Sequence, residues 1–183
     1  ALQDQQSSTA SELAQTSKAV DAAVATQSAY NAQLAGLQAS KLALETEKKA
    51  YTDAGIEAQY EQINESFASV RNMASGYGMD ASAYPADISD ALKSPKKLEA
   101  LTAFMKQIGQ SDAAASLTTD NLKQLDQIVN TRLPQIDTEL ANLAVEIQAA
   151  QAIADQVNEQ VKAATDNYEA LESGKISAAV GFS

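Results

Sequence analysis

The C-terminal part of the chain carries apolar side chains at alternating intervals of three and four residues. This spacing holds from Leu133 to Leu171, over more than five heptads, and is typical of a coiled-coil helix. Most other positions are polar or Ala, so the helix has one narrow apolar stripe that needs a partner helix to cover it. We call this stripe the seam, and in this segment it comprises Leu133, Ile136, Leu140, Leu143, Ile147, Val157, Val161, Tyr168 and Leu171.

A second helical pattern predicts an N-terminal coiled-coil helix over residues 12–75. Its seam slips by one residue at Gly55. A glycine inside a helix costs about 1 kcal/mol relative to alanine, so Gly55 indicates a stutter, a bend or a close helix approach. The predicted seam residues of this arm are Leu34, Leu37, Leu44, Ile56, Tyr60, Ile63, Phe67 and Val70.

Residues 76–118, between the two arms, carry turn and cap signals that predict an insert of short helices. A first short helix is predicted to open at Tyr84-Pro85 and to run through Leu92. Ser94-Pro95 starts the next one, because Ser is a favoured N-cap and Pro is tolerated at the first helical position. Gly109 closes that helix, and a polar loop is expected to follow.

The C-terminal coiled-coil helix is predicted over residues 119–173, with its N-terminal cap at Thr118-Thr119-Asp120. Ahead of the main run, Leu122, Leu125 and Val129 are expected to face inward as part of the seam. Pro134 interrupts the rhythm, since proline removes one helical hydrogen bond and clashes with the preceding turn. We therefore expect a kink in a continuous helix at Pro134.

Both ends of the chain differ in composition from the arms. Residues 1–11 are rich in Gln, Ser and Thr, which predicts a disordered tail. Residues 174–183 form a second tail that is either disordered or packed against a neighbour. The second alternative is open because Ile176, Val180 and Phe182 would expose apolar surface to water.

Together these patterns predict an all-α protein, a long antiparallel coiled-coil helical hairpin with a small helical insert at one end. Two arms of roughly 55 to 65 residues would each reach about 80 to 100 Å. The seam's partner helix has three possible sources: this chain, a second copy or another protein. The outward faces still carry Ala with scattered Val or Ile, so we expect them to pack onto further copies.

Composition restricts the partners. A net charge of −11 and a pI near 4.3 argue against nucleic-acid binding and against an anionic membrane surface. No apolar run approaches the roughly 20 residues of a membrane span, so we predict no direct membrane insertion. The chain has no Cys and no His, which removes the usual ligands of zinc or haem and the Cys or Ser–His nucleophile.

No arrangement of residues in the sequence points to catalysis. Glu57 with Glu61, and Asp87 with Asp90, can each share a helical turn, but such carboxylate pairs are typical of solvated faces. Residues 112–120 lack the glycine and the terminal glutamate of an EF-hand loop. We therefore predict no catalytic, cofactor-binding or metal-binding residues, no cofactor, and a protein that is not an enzyme.

The sequence YPADISDALKSP at residues 84–95 resembles the linker-to-helix segment of EspA-type translocator proteins of type III secretion systems. It has a proline, two aliphatic residues and a second proline at that family's spacing, namely Pro85, Ile88, Leu92 and Pro95. Downstream, LTTDNLKQLDQIVN is similar to the start of the family's C-terminal helix. The order of elements, ending in a tail that contains Ile176-Ser177, also matches. The Ala/Gln-rich N-terminal arm departs from the apolar stretch common in such proteins.

This resemblance implies a secreted protein of the bacterial cell surface that polymerises into a hollow extracellular filament or sheath through which other proteins pass. It implies a homo-oligomer, in the form of an open helical polymer, and a dedicated export chaperone that covers the seam before secretion. One alternative is a needle-tip or flagellin-like subunit, of which the tip protein would form a closed ring. Another is a coiled-coil adaptor or receptor-binding module that never polymerises.

Overall fold

Two long helices account for most of the molecule. The computed structural model describes residues 2–180, with side chains at 3, 4 and 7–174. The chain is 90% helical, the described part contains no strand, and the long helices α1 and α7 pack together, which confirms the all-α prediction. The helices are α1 Leu2–Asp53, α2 Ile56–Gly76, α3 Ile88–Lys93, α4 Pro95–Gln107, α5 Ser111–Ala115, α6 Thr119–Gln127 and α7 Leu133–Val180.

Helix α1 begins at Leu2, within the segment 1–11 for which the sequence predicts a disordered tail. The segment from Leu2 to Gly36 contains neither an intervening glycine nor a proline and is rich in Ala, the best helix former. Extending an existing helix adds one hydrogen bond for each residue that is ordered. The helix that forms along the arm therefore continues through the Gln/Ser/Thr-rich segment.

The N-terminal arm is divided at Gly55. Helix α1 ends at Asp53, α2 begins at Ile56, and Gly55 has a left-handed φ of 67°. The Gly55 N–H donates to the Thr52 carbonyl at 3.0 Å, and the Gly55 carbonyl accepts from the Gln59 N–H at 2.9 Å. The feature predicted as a stutter or bend is a turn between two helices, because only glycine adopts this φ without a steric penalty.

Residue contacts divide the chain into two compact units, one of residues 43–140 and one that joins residues 2–42 to residues 141–180. In the first, α2 to α6 and a 3₁₀ turn at Ala81–Ala83 enclose a hydrophobic core. We call these residues the head core; they are Phe67, Val70, Ala74, Tyr84, Ile88, Ala91, Leu98, Leu101, Phe104, Met105, Ala114, Leu117 and Leu122.

Helix α3 starts three residues later than the sequence predicts, at Ile88 instead of Pro85. Two side chains fix this start: the Asp87 carboxylate accepts from the Asp90 N–H at 2.8 Å, and Asn64 Oδ1 accepts from the Ile88 N–H at 2.8 Å. The first bond is an N-cap within the helix, and the second ties α3 to α2. The helix start that the sequence placed at Tyr84-Pro85 is therefore set by the Asp87 cap instead.

The other predicted caps are found where the sequence places them. Ser94 is the N-cap residue of α4 with Pro95 at its first position, and Gly109 follows that helix with a φ of 85°. Thr118 caps α6 by accepting from the Asn121 N–H. The predicted loop before it contains the short helix α5, because Ala114 is buried in the head core.

A single π-helical turn, Ile128–Arg132, joins α6 to α7 and lies where the kink was expected. The Leu133 N–H donates to the Ile128 carbonyl, five residues back instead of four. Pro134 has no N–H and its ring would clash with the carbonyl of Asn130 in a regular α-helix. The wider turn accommodates proline while the helix continues directly into α7.

Candidate assembly surfaces

In the unit of residues 2–42 and 141–180, the partner of the seam comes from the same chain. The Gln27 Nε2 on α1 donates to Asn158 Oδ1 on α7 at 2.7 Å, and these two helices pack together. On α7 the seam positions Ala150, Ala154 and Val157 are buried. The other predicted seam residues of this unit are half-buried; they are Leu34, Leu37, Leu143, Ile147, Val161, Tyr168 and Leu171.

In the unit of residues 43–140, the predicted seam residues separate into two groups. Phe67, Val70 and Leu122, predicted as seam residues, belong to the head core. The short helices of the insert surround them, and a heptad pattern cannot distinguish this packing from a coiled coil. Tyr60 and Ile63 are partly buried against the same core. The second group consists of Leu133 and Ile136, which are buried, and Leu44, Ile56, Leu125, Val129 and Leu140, which are half-buried.

Two ion pairs link α1 to the later part of the chain within this unit. Lys48 Nζ donates to Asp137 Oδ1 at 2.7 Å. The Arg132 guanidinium holds the Glu47 carboxylate with two hydrogen bonds, one from Nη2 to Oε1 at 2.8 Å and one from Nε to Oε2. Neither pair is predicted by the heptad pattern of the sequence.

These contacts change the titration of the groups involved. The hydrogen bond from Arg132 lowers the pKa of Glu47, and the same contact raises the pKa of Arg132. The hydrogen bond to Asp137 raises the pKa of Lys48. A sequence signal for the Glu47 pair did exist, since Arg132 directly precedes the seam residue Leu133 and Glu47 lies one helical turn after the seam residue Leu44. Charged side chains at such flanking positions often bridge two helices.

Large apolar side chains are also exposed on the outer surface of the long helices. Val145 is 68% exposed and Ile153 is 40% exposed, both on α7. Val24 and Leu42 are exposed on α1. Isolated exposed residues are common, but Val145 and Ile153 lie eight residues apart on one helix with the exposed Ala149 midway between them.

We call the unit of residues 43–140 the head. It carries a second set of exposed apolar side chains near the end of α2. The Tyr77 ring is 71% exposed and meets Phe104 edge to face at 6.2 Å between ring centres. The Tyr84 ring also meets Phe104, at 5.9 Å between ring centres, and the Tyr84 hydroxyl donates to Met79 Sδ at 3.1 Å. Met73 and Met79 are also exposed. Met and aromatic side chains of this kind suit adaptable contacts with apolar partners.

Two shallow clefts lie in the unit of residues 43–140. One, of about 350 Å³, has apolar walls that include Ile56, Ile63 and Leu125 and amides at its rim. The other, of about 320 Å³, is lined in part by Glu57 and Glu61. Both carboxylates are exposed to solvent, as expected from the sequence. Neither set of lining residues pairs a nucleophile with a general base.

Several sequence predictions concern residues or features outside these surfaces. The side chains of Ile176, Val180 and Phe182, predicted as tail contacts, lie outside the described residues. Among the residues with described side chains, no group of three or more Asp or Glu is arranged to hold a metal ion. None of the described helices combines the length and apolar character needed to cross a membrane.

Comparisons with protein-family models, with curated proteins and with solved structures find no match to this chain. The resemblance to EspA-type proteins therefore depends on the short sequence pattern alone.

Proposed function

We propose that the protein is a secreted structural subunit whose two long helices form an antiparallel coiled-coil hairpin and whose outer faces assemble with further copies. The heptad seam supports the coiled coil. Lys48 pairs with Asp137, whereas Tyr60, further along the chain, accepts from Asn130 Nδ2 at 3.0 Å. The partner residue number falls as the first increases, as it does in an antiparallel pair.

One observation carries the assembly proposal, namely the exposure of Val145 and Ile153 on α7. The packing of α1 on α7 accounts for part of the seam, so we assign the contacts with further copies to other surfaces. The outer face of α7 offers apolar side chains that a solitary subunit leaves in water. The head surface around Tyr77 offers a second contact, and two different contact surfaces on one subunit permit an open polymer.

The export and location of the protein are part of the same proposal. The resemblance of residues 84–180 to EspA-type translocators supports an extracellular filament or sheath of a type III secretion apparatus on the bacterial surface. A dedicated helical chaperone would bind the apolar seam before secretion. The charge of −11 favours a soluble subunit that stays dispersed until its apolar faces meet.

A second candidate function is a coiled-coil adaptor or receptor-binding module that does not polymerise. The packing of α1 against α7 favours it, because the longest apolar stripe of the sequence needs no second copy. In that case the head surface around Tyr77 would bind a different protein. A needle-tip or flagellin-like subunit remains a third alternative, distinguished by the symmetry of its assembly.

Light scattering coupled to size exclusion over a wide concentration range, followed by negative-stain microscopy, tests these candidates. The filament proposal predicts a mass that rises with concentration and filaments with a central channel. A closed ring of fixed mass would favour the tip protein. A monomer of constant mass at every concentration would overturn the assembly proposal and favour the adaptor.

A further inference from the structure

One side of the paired long helices is almost without charge. In the unit of residues 2–42 and 141–180, we define the neutral face as the positions two and six residues after the first seam position of each heptad. These are positions 22, 26, 29, 33, 36 and 40 on α1 and positions 142, 146, 149, 153, 156, 160 and 163 on α7. Its members are small or neutral on α1, and on α7 the single charged member is Glu146. The opposite side carries Asp21, Asp155 and Lys162. In a chain of net charge −11, the neutral face is where a second acidic copy meets least repulsion.

Gly36 lies on this face in the middle of α1 and has no role within the chain that explains it. Its backbone is helical, and a Cβ built there would meet no atom within 4 Å. A helix is less stable with glycine than with alanine at an interior position. Within the described chain, no neighbouring atom is close enough to exclude a side chain at residue 36. A glycine at such a position suits a site where another backbone approaches closely.

The large apolar side chains of this face and its glycine lie on different helices. In the antiparallel hairpin, nine residues forward from Gln27 and nine back from Asn158 bring Gly36 level with Ala149. Val145, at the edge of the face, and Ile153 lie one turn on either side of Ala149. The exposed apolar side chains are therefore on α7, and the space that could receive them is on α1.

We propose that the neutral face is the contact between two copies of this chain, paired so that α7 of each copy lies over α1 of the other. This proposal rests on the proposed function, because it names the surface through which the hairpins first associate. A two-fold axis places Val145 and Ile153 of each copy against the small residues around Gly36 of the partner copy. The same symmetry operation therefore fills the space around Gly36 in both copies. The product is a four-helix arrangement in which both α7 helices lose their exposed apolar side chains.

The available area is sufficient for such a pair. Two adjacent helices are about 20 Å wide, and 22 residues of α7 extend about 33 Å, so the face covers about 650 Å² per copy. The total of about 1,300 Å² lies within the range of specific protein–protein interfaces, about 1,200 to 2,000 Å². The face is thus large enough for a specific dimer without the head.

The test compares two adjacent substitutions in the full chain, Gly36→Glu on the neutral face and Ala35→Glu on the opposite side. Both add the same charge to an exposed position of α1, and both replace the residue by the same helix former. Sedimentation velocity over a concentration series measures the dimer dissociation constant, and circular dichroism checks that each variant stays helical. We expect Gly36→Glu to weaken the dimer at least tenfold and Ala35→Glu to change it less than twofold.

A second matched pair uses apolar residues of similar exposure, Ile153→Glu on the neutral face and Val24→Glu on the opposite side. Weakening by Ile153→Glu alone supports the proposal. If the wild-type chain associates and both neutral-face variants associate equally well, the proposed contact surface is wrong, while the proposed function still stands. Equal weakening by all four variants would also overturn the proposed contact surface, since the effect would then come from net charge. A wild-type chain that stays monomeric would overturn the proposed function as well and assign the face to a different protein.

Discussion

Arg132 holds Glu47 with two parallel hydrogen bonds although 85 residues separate them in sequence. Both side chains are about one-third exposed, so solvent screens the pair. The two-bond geometry nevertheless fixes the position of α1 relative to the π-helical turn before α7 in this unit. The pair therefore specifies how the helices are aligned more than it adds to total stability.

The lowered pKa of Glu47 predicts a pH dependence with a definite sign. A carboxylate whose pKa is lower in the folded state stabilises the fold at pH values above its ordinary pKa, which is near 4.5. That contribution is lost as the pH falls through the lowered folded pKa. We expect Glu47→Gln to lower the thermal unfolding temperature at pH 7 and to make it less sensitive to acid below pH 4.5.

The measurement is thermal unfolding followed by circular dichroism between pH 7 and pH 3. Glu99→Gln, on the exposed surface of α4, is the control for removal of one negative charge. Parallel curves for wild type and Glu47→Gln across the acid range would contradict the assigned role of Arg132.

The same substitution should have opposite effects at two glycines. Gly55→Ala places a side chain at a φ of 67° and should destabilise the protein by about 1 to 2 kcal/mol. Gly36→Ala improves a helical position with open space around it and should stabilise the monomer by about 0.5 to 1 kcal/mol. Urea unfolding at low protein concentration measures both changes, and a Gly55→Ala variant at least as stable as wild type would disprove the turn assigned to Gly55.

Aromatic side chains in the head differ in what they contribute. Phe104 is 4% exposed and meets both Tyr77 and Tyr84, so Phe104→Ala should cost about 3 to 5 kcal/mol. Tyr77→Ala should cost less than about 1 kcal/mol, since most of the ring is already in water. Chemical denaturation of the two variants gives the difference. Equal losses would mean that Tyr77 is buried in solution.

Asn64 is a polar residue whose structural role the heptad pattern hides. Its Oδ1 accepts from the N–H of Ile88, a residue with no exposed surface. Asn64→Ala leaves that N–H without its acceptor and should cost about 1 to 3 kcal/mol. Amide hydrogen exchange should show faster exchange at Ile88 in the variant, with Asn121→Ala as a control whose side chain bonds the Ser116 carbonyl instead. An unchanged exchange rate at Ile88 would refute this bond.

The seam itself is tested by Leu143→Asp. Leu143 is half-buried on α7, and a charge there would be partly removed from water without a partner. We expect the variant to lose helical circular dichroism and thermal stability at low concentration, independently of any assembly. Gln148→Asp, an exposed substitution on the same helix, should retain both. A Leu143→Asp variant as helical and as stable as wild type would show that the seam is misassigned.

The sequence by itself determined the helical class and the positions of several helix ends. These features are local: the three-and-four spacing acts within a few turns, and Gly55, Ser94, Gly109 and Thr118 set backbone geometry at their own positions. Pro134 likewise showed that the helix could not be regular there, although the proline alone does not distinguish a kink from a π-helical turn.

Only the tertiary structure decided which surfaces cover the apolar residues. Phe67 and Leu122 fit a heptad as well as Ile136 does, yet they lie in the head core, because the short helices of the insert fold back over them. The partners of Glu47 and Asn64 are 85 and 24 residues away, beyond any local periodicity. The three-dimensional packing of α1 on α7 also showed that the two long helices contact each other within the chain.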